Sequence, residues 1–192
     1  MPAAPRSGEA PGALSAGAPD RGIPGADGVD AFGGVELVGV GFSPGGSAEK
    51  WVLSVINGAK KELRVSAYTF TSRPVAAALL RARQRGVDVA VLLHAPAPRE
   101  TPFIIPFLRG NGIPFRLGNC KGLMHNKFIV ADGAVVQTGS YNYTRAAASV
   151  NAENVVVLRG AACARVYLRE WARLWREAQA TAGTPKRRGV FP

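Results

Sequence analysis

The residues best suited to chemistry in this chain lie close together, between His125 and Asn142. His125 and Lys127 stand two positions apart on an apolar run, so on a β-strand both side chains would point to the same face. A turn and a second apolar run then return the chain and bring Gly139 and Ser140 back beside that strand. The segment therefore predicts an imidazole, an ammonium and a hydroxyl within one strand–turn–strand unit.

Such a group could attack a phosphodiester without a metal ion. Backbone N–H groups around Gly139 and Ser140, together with the Asn142 amide, could hold phosphate oxygens. Lys127 would supply positive charge, and His125 would act as a nucleophile or an acid near neutral pH. Ser140 suits phosphate binding better than nucleophilic attack, because no Gly-x-Ser-x-Gly turn surrounds it. The acidic residues are scattered rather than clustered as metal ligands, so no metal is predicted.

The complete spacing, His-x-Lys-x4-Asp-x6-Gly-Ser-x-Asn, closely resembles the signature of the phospholipase D superfamily. The resemblance covers about residues 40–177, and it is strongest to the small bacterial Nuc-type non-specific endonucleases. The segments similar to that group are Gly41–Ala48, Ala67–Thr71, Arg85–Val89, Gly139–Ala147 and Asn151–Asn154. Related animal enzymes include the mitochondrial cardiolipin hydrolase and Zucchini, so the resemblance is compatible with cutting either nucleic acid or phospholipid.

In that superfamily two copies of the motif face each other across a two-fold axis, and this chain holds one copy. Its other histidine, His94, lies where Nuc-type enzymes more usually have an acidic residue, and the resemblance assigns it no role. The resemblance thus implies a homodimer in which the His125 residues of both subunits meet. One would attack phosphorus to form a phosphohistidine, and the other would protonate the leaving oxygen and then activate water. No cofactor is implied.

The resemblance also implies roles for the residues that match the family motif. Lys127 and Asn142 would stabilise the charge of the pentacovalent transition state. Gly139 and Ser140, again with Lys127, would bind the phosphate.

Two acidic residues near the motif carry further expectations. Glu153 would orient an active-site His125 and pair with its charge, although it could instead pair with a surface arginine, Arg145 or Arg159. Asp132 belongs to the signature but falls at a hairpin turn, where a carboxylate commonly accepts backbone N–H groups. We expect a structural or supporting role for Asp132.

Two apolar features leave alternatives open. Tyr141 and Tyr143 flank the motif asparagine and could stack on bases at the mouth of a cleft, or they could lie in the core or a dimer interface. The segment 103–108 could enter a membrane interface if it were exposed, but an ordinary core helix is the preferred interpretation. Cys120 and Cys163 form neither a disulfide framework nor a zinc-ligand spacing, and we expect small buried side chains.

The charge of the chain is unevenly distributed. The formal net charge is +11, but residues 1–33 hold two arginines and four acidic residues. Residues 34–192 therefore hold 22 basic and nine acidic residues, a net charge of +13. A folded part this basic attracts polyanions, so nucleic acid and anionic phospholipid membranes are the expected partners.

Strands and helices alternate from residue 35 onward, which predicts an α/β protein. The expected fold is a mixed, largely parallel β-sheet with helices on both faces, as in phospholipase D-like proteins. Predicted strands are Val35–Phe42, Leu63–Phe70, Val87–Leu93, Pro114–Leu117, the motif hairpin and Asn154–Leu158. Predicted helices are Ser47–Lys60, Pro74–Arg85, Pro102–Arg109 and Ala161–Ala178, the first following a turn and helix cap at Ser43–Ser47.

The expected organisation is a disordered Pro/Gly/Ala-rich leader over 1–33, a phosphodiesterase domain over 34–180 and a flexible basic tail over 181–192. The leader shows no secretory signal pattern, which favours a cytoplasmic location, whereas Nuc-type enzymes are typically exported to the periplasm. The compartment is therefore left unassigned.

Three functions are compatible with these observations. The leading hypothesis is a metal-independent, sequence-non-specific endonuclease that hydrolyses DNA, with RNA as a further substrate class. The alternative is a phospholipase D or cardiolipin hydrolase that acts on membrane phospholipids. A second alternative is a nucleic-acid-binding module that has lost catalysis, although all the motif residues are present.

Overall fold

A computed structural model describes residues 34–95, 102–118 and 122–180. The expected leader 1–33, the expected tail 181–192 and Cys120 lie outside the described residues. The strands are β1 (Glu36–Ser43), β2 (Glu62–Ala67), β3 (Asp88–His94), β4 (Phe115–Gly118), β5 (Phe128–Ala131), β6 (Val135–Gly139), β7 (Glu153–Arg159) and β8 (Gln179–Ala180). The helices are α1 (Ser47–Gly58), α2 (Arg73–Gln84), α3 (Ile104–Gly110), α4 (Arg145–Ser149) and α5 (Ala161–Glu177).

The described strands form one mixed sheet in the order β1-β7-β6-β5-β2-β3-β4-β8. Among the named strands, only β2 with β3 and β3 with β4 pair in parallel, and a helix connects each strand to the next. The motif strands β5 and β6 are joined by a tight turn and must run antiparallel, as do the remaining pairs. The α/β class and the mixed sheet are confirmed, but the expectation of a largely parallel sheet was wrong.

Helices cover both faces of this sheet, as predicted. On one face the odd-numbered residues of β2, from Leu63 to Ala67, join a core with α1, α2 and α3. On the other face Leu92 and Phe128 pack against α5. The Trp171 indole of that helix donates a hydrogen bond to the carbonyl of Val65 in β2 at 3.0 Å. The period of two along each strand therefore decides which residues meet which helix.

The apolar segment at 103–108 is a core helix, which confirms the preferred interpretation. Ile104 and Leu108 are fully buried, and the other large side chains of α3 pack against the same core. Cys163 is likewise buried in α5.

The predicted turn and helix cap at Ser43–Ser47 is confirmed, and Gly46, in the left-handed region at φ 79°, takes the cap position. The Ser47 hydroxyl bonds to both the N–H and the carbonyl of Phe42, at 2.8 and 2.9 Å. The sequence pattern missed two short elements, α4 and β8, because five and two residues carry too little periodicity to be recognised.

Asp132 ties the motif hairpin to the chain before β2. Its carboxylate accepts the backbone N–H groups of Lys60, Lys61 and Glu62 at 2.9, 2.7 and 3.0 Å. Burial alone would raise the pKa of this carboxyl, but the three N–H donors and the charge of Lys61 hold it below its ordinary value. The aspartate thus clamps a segment about 70 residues away in sequence, rather than its own turn.

We expect Asp132→Ala to lower the free energy of unfolding by about 1 to 3 kcal/mol, because water can replace only part of this hydrogen bonding. Asp132→Asn keeps an acceptor oxygen and should lose less. The carboxylate's contribution is present above its ordinary pKa and is lost as the pH falls through its lower folded value. Urea unfolding at pH 7 measures both variants, and an alanine variant as stable as the wild type would contradict the clamp.

Candidate active site

His125 and Lys127 lie just before a strand rather than on one. Strand β5 begins at Phe128, and its pairing with β2 stops at Ser66 opposite that residue. The Lys127 ammonium donates to the carbonyl of His125 at 2.7 Å, so a side chain, not a neighbouring strand, satisfies this carbonyl. The predicted strand placement was wrong, but the two side chains do lie together.

The ammonium of Lys127 is packed against the ring of His125. Its Nζ atom lies 3.1 Å from Nδ1 and 3.3 Å from Nε2 of the imidazole. An ammonium only donates hydrogen bonds, so Lys127 is the donor in this contact, and the roles of the two ring nitrogens depend on the imidazole tautomer. Attack on phosphorus requires a ring nitrogen that carries no proton.

The two side chains differ in exposure. His125 is exposed, whereas Lys127 is only 7% exposed. Burial lowers the pKa of the Lys127 ammonium, and the negative charge of Glu153 partly opposes this. A buried cation beside an exposed imidazole is suited to stabilising negative charge that develops near the ring.

Ser140 and Glu153 form the second half of the site. The Ser140 hydroxyl donates to Glu153 Oε2 at 2.5 Å and accepts the backbone N–H of Asn154 at 3.1 Å. Glu153 also accepts from Asn151 Nδ2 at 3.0 Å. Gly139, at φ 145°, has no room for a side chain, since a Cβ there would lie 2.2 Å from the carbonyl oxygen of Asn154.

Glu153 has other partners than His125 within one chain. Among the hydrogen bonds of the described residues, none joins Glu153 to His125 within one chain. Arg159, one of the two suggested surface partners, pairs with Glu36 at 2.8 Å. Within its own subunit the carboxylate contacts Ser140 and presents its charge to Lys127. Its role in orienting an active-site His125 stays a prediction.

Several of the predicted site residues line one cleft of about 470 Å³. His125, Lys127, Gly139 and Ser140 all line it. The remaining lining residues are Asn126, Phe128, Thr138, Val166, Tyr167 and Glu170. Val166, Tyr167 and Glu170 come from α5. One wall of the cleft is therefore formed by a helix that lies outside the sequence motif.

Two motif residues lie outside the cleft lining. Asp132 lies in the hairpin turn after β5, at the opposite end of that strand from Lys127. Asn142 is half-buried, and its Oδ1 atom is buried without a hydrogen-bond partner. In a single chain, the amide of Asn142 therefore does not line the cleft with the other predicted phosphate-binding groups.

The two motif tyrosines belong to the core. Tyr141 and Tyr143 are both fully buried, and the Tyr143 hydroxyl donates to Gln137 Oε1 at 2.9 Å. The ring of Tyr143 also meets Phe70 edge-on at 5.7 Å. Stacking on bases, one of the two open alternatives, was wrong because alternate residues of this extended segment point inward together.

The sequence interpretation missed two aromatic neighbours of the motif histidine. The ring centroid of Tyr68 lies 4.3 Å from that of His125, and Lys127 Nζ lies 5.1 Å from the tyrosine ring. His94 contacts the same tyrosine, with the two ring centroids 5.0 Å apart. A signal was present, since both residues end neighbouring parallel strands, where side chains commonly converge on a site.

The described residues offer neither a metal-binding cluster nor a membrane-spanning helix. No group of three or more His, Cys, Asp and Glu side chains within the described ranges is arranged to hold a metal ion. None of the helices in these ranges is both long enough and apolar enough to cross a membrane. The absence of a metal requirement stays a prediction.

Comparisons with known proteins show which proteins the chain resembles. A family model described as "Cardiolipin synthase, PLD-like domain" matches residues 52–175. The chain is 36% identical over 136 residues to the mitochondrial cardiolipin hydrolase of Xenopus laevis, covering 68% of this chain and 62% of that protein. It is 34% identical over 130 residues to the phospholipase D of Rickettsia bellii, covering 68% of this chain and 65% of that protein.

A solved structure has the same fold. Nuc of Salmonella typhimurium, described as a phospholipase D family member, superposes with a TM-score of 0.72 at 35% sequence identity. The superposition covers 77% of this chain and 97% of that one. The curated relatives are longer than the matched region, and the chain spans slightly less than two thirds of their length.

Proposed function

The chain belongs to the phospholipase D-like family, and from this premise we propose that it is a metal-independent phosphodiesterase that cleaves DNA without sequence specificity. The observation that carries the proposal is the cleft in which His125, Lys127 and Ser140 meet. A nucleophile, a buried cation and a hydroxyl in one cleft are the groups that a phosphodiester needs for binding and attack. RNA is a second substrate class for the same chemistry.

The proposed reaction has two displacements. A ring nitrogen of His125 attacks phosphorus, a P–N bond forms, and the P–O bond to the leaving strand breaks. The partner subunit's His125 gives its proton to the leaving oxygen. A water molecule then attacks phosphorus, gives its proton to the partner subunit's His125, and breaks the P–N bond. Lys127 and Ser140 hold the phosphate oxygens while negative charge builds up on them.

This reaction needs a second chain, because each subunit supplies one motif histidine. Three large apolar side chains that adjoin site residues in sequence or in strand pairing are exposed: Phe42, Leu123 and Val150. Leu123 stands two residues before the nucleophile, and the other two adjoin the start of β7, where Glu153 lies. Covering such side chains with a second copy would remove apolar surface from water and bring two clefts together. The face around the cleft is therefore the proposed dimer interface.

Strand β1 offers a matched pair of variants to test that face. Phe42 is 61% exposed at the end beside the cleft, and Leu37 is 60% exposed at the opposite end. We expect Phe42→Asp to weaken the dimer at least about 10-fold and to reduce cleavage at low protein concentration. Leu37→Asp should change neither property. Sedimentation velocity over a dilution series measures both, and equal behaviour of the two variants would contradict the proposed interface.

Charge favours nucleic acid over phospholipid as the substrate. Helix α5, which forms one wall of the cleft, carries exposed arginines at Arg165 and Arg169 next to the lining residues Val166 and Glu170. The acidic Glu170 is itself paired with Arg173 at 2.8 Å. Two exposed arginines one helical turn apart, each next in sequence to a residue that lines the cleft, suit a backbone of repeated phosphates, which a single lipid headgroup does not provide.

A phospholipase D or cardiolipin hydrolase is the second candidate function. The observation in its favour is the same exposed apolar set around the cleft, Phe42, Leu123 and Val150, which could also enter a lipid interface. Two relatives have names that describe enzymes acting on lipids, a mitochondrial cardiolipin hydrolase and a phospholipase D. If the apolar set faces a membrane, it is not buried in a dimer.

One assay separates the candidates. Purified protein is incubated with EDTA and either supercoiled plasmid, single-stranded DNA or cardiolipin-containing vesicles, with His125→Asn as the control. Nicking of DNA that depends on His125, with the lipid intact, is the expected result. Lipid turnover with intact DNA would establish the second candidate, and DNA that is bound but never cut would indicate an inactive binding module. Activity lost in EDTA and restored by magnesium would contradict metal independence.

A further inference from the structure

His94, Tyr68 and the motif histidine form a cluster of rings at one end of the sheet. Strands β2 and β3 run parallel and are paired up to Ala67 opposite Leu93, so Tyr68 and His94 follow at adjacent carboxyl ends. The Tyr68 ring is in contact range of both imidazoles, 5.0 Å from His94 and 4.3 Å from His125 between centroids. The tyrosine ring thus contacts both imidazoles of the chain.

A hydrogen bond connects His94 to the backbone that carries the nucleophile. Met124 directly precedes His125, and its N–H donates to Nδ1 of His94 at 3.3 Å. Met124 is itself buried, and its sulfur accepts the Ser66 hydroxyl at 3.2 Å. Residues 123–127 have no strand partners, so these contacts hold a segment that the sheet does not.

His94 is held as a neutral acceptor in this position. It is only 5% exposed, and burial lowers its pKa, with the charge of His125 lowering it further. Because Nδ1 accepts an N–H group, the single proton of the neutral ring lies on Nε2. A charged His94 would break the bond to Met124, so the neutral form is the one compatible with the observed geometry.

We propose that His94 is a positioning residue for the nucleophile, acting through the Met124 N–H and the Tyr68 ring that His125 packs against. The inference rests on the proposed phosphodiesterase function and adds a residue to it. In-line attack tolerates little displacement of the attacking nitrogen, so loosening the segment before His125 lowers the rate of attack more than it weakens substrate binding. The acceptor atom, rather than the bulk of the ring, is the essential feature.

Two variants of similar shape, His94→Asn and His94→Leu, test whether the hydrogen-bond acceptor at Nδ1 of His94 is needed. Asparagine places an acceptor oxygen near the position of Nδ1, whereas leucine has nearly the same shape and no acceptor. The readout is steady-state hydrolysis of bis(p-nitrophenyl) phosphate in EDTA. We expect His94→Leu to lower kcat about 10- to 100-fold with KM changed less than about 3-fold, and His94→Asn to stay within about 5-fold of the wild type.

Controls keep loss of folding apart from loss of positioning. Leu92→Val alters a buried residue on the same face of β3, and it should lower the Tm while leaving kcat unchanged. If His94→Leu does not fold, His94→Phe, which keeps a ring but has no acceptor, replaces it with the same expected loss. A folded variant without an acceptor but with the kcat of the wild type would overturn the inference, as would an asparagine variant as slow as leucine. A wild type inactive on every phosphodiester would overturn the proposed function and this inference together.

Discussion

Replacement of His125 by asparagine is expected to lower phosphodiester cleavage by at least about 1,000-fold. Asparagine cannot form a covalent bond to phosphorus, and it cannot carry a proton to the leaving oxygen. In a dimer, the single substitution removes both functions at once, since each subunit contributes the same residue. Initial rates of plasmid nicking in EDTA, measured over a wide range of enzyme concentration, give the ratio.

The exposure of His125 makes this variant informative. The ring is exposed at the cleft, so its loss should leave the Tm and the dimer affinity of the protein close to those of the wild type. A variant that sediments as a dimer and binds DNA normally, yet does not cut it, is the expected outcome. A folded variant that retains more than about a tenth of the wild-type rate would contradict a nucleophilic role.

The second large effect is expected at Lys127. Methionine has a similar length and no charge, so Lys127→Met should be accommodated at this buried position while the cation is lost. We expect kcat to fall about 100-fold, the usual cost of losing one group that stabilises transition-state charge. Quenched-flow or steady-state rates at saturating substrate separate this loss from weaker binding.

The same residue predicts a pH effect whose sign follows from burial. Because burial lowers the pKa of Lys127, its charge is lost at a lower pH than that of an exposed lysine. The rate should therefore fall on the alkaline side as the pH rises through this lowered pKa. Lys127→Arg keeps its charge to much higher pH, so the alkaline fall should move upward in that variant. An alkaline limb that is identical in both proteins would show that Lys127 does not titrate in the active enzyme.

The sequence predicted most of the element types, because strands and helices alternate with clear apolar periodicities. It could not predict the order and direction of the strands equally well. The motif strands β5 and β6 join the parallel strands through an antiparallel β2–β5 pair, and nothing in the local pattern of either strand specifies its neighbour. The expectation of a largely parallel sheet failed for this reason.

The candidate site was predicted where its residues are close in sequence. His125, Lys127, Gly139 and Ser140 meet in one cleft because a hairpin brings them together. Contacts between distant segments were missed. The bond from Met124 to His94 spans 30 residues, and it joins the end of β3 to the segment before β5, two strands that β2 separates in the sheet.

For Asp132 the sequence predicted the kind of contact but not the residues that take part in it. Its position at a turn indicated a carboxylate that binds backbone N–H groups, and it does so. The donors belong to residues 60–62, however, and only the antiparallel β2–β5 pairing brings that segment next to the turn. Local chemistry predicted the type of contact, and the tertiary fold determined the partner.

Subunit mixing tests the central claim that two chains share one phosphodiesterase site. Wild-type chains and His125→Asn chains are mixed in equal amounts, dissociated, reassociated and assayed for DNA cleavage in EDTA. If both His125 residues serve one site, only dimers of two wild-type chains are active, and the rate should fall to about one quarter of that of the same total amount of wild-type protein. A rate of about one half, in proportion to the wild-type chains present, would contradict the shared site and indicate that each chain acts alone.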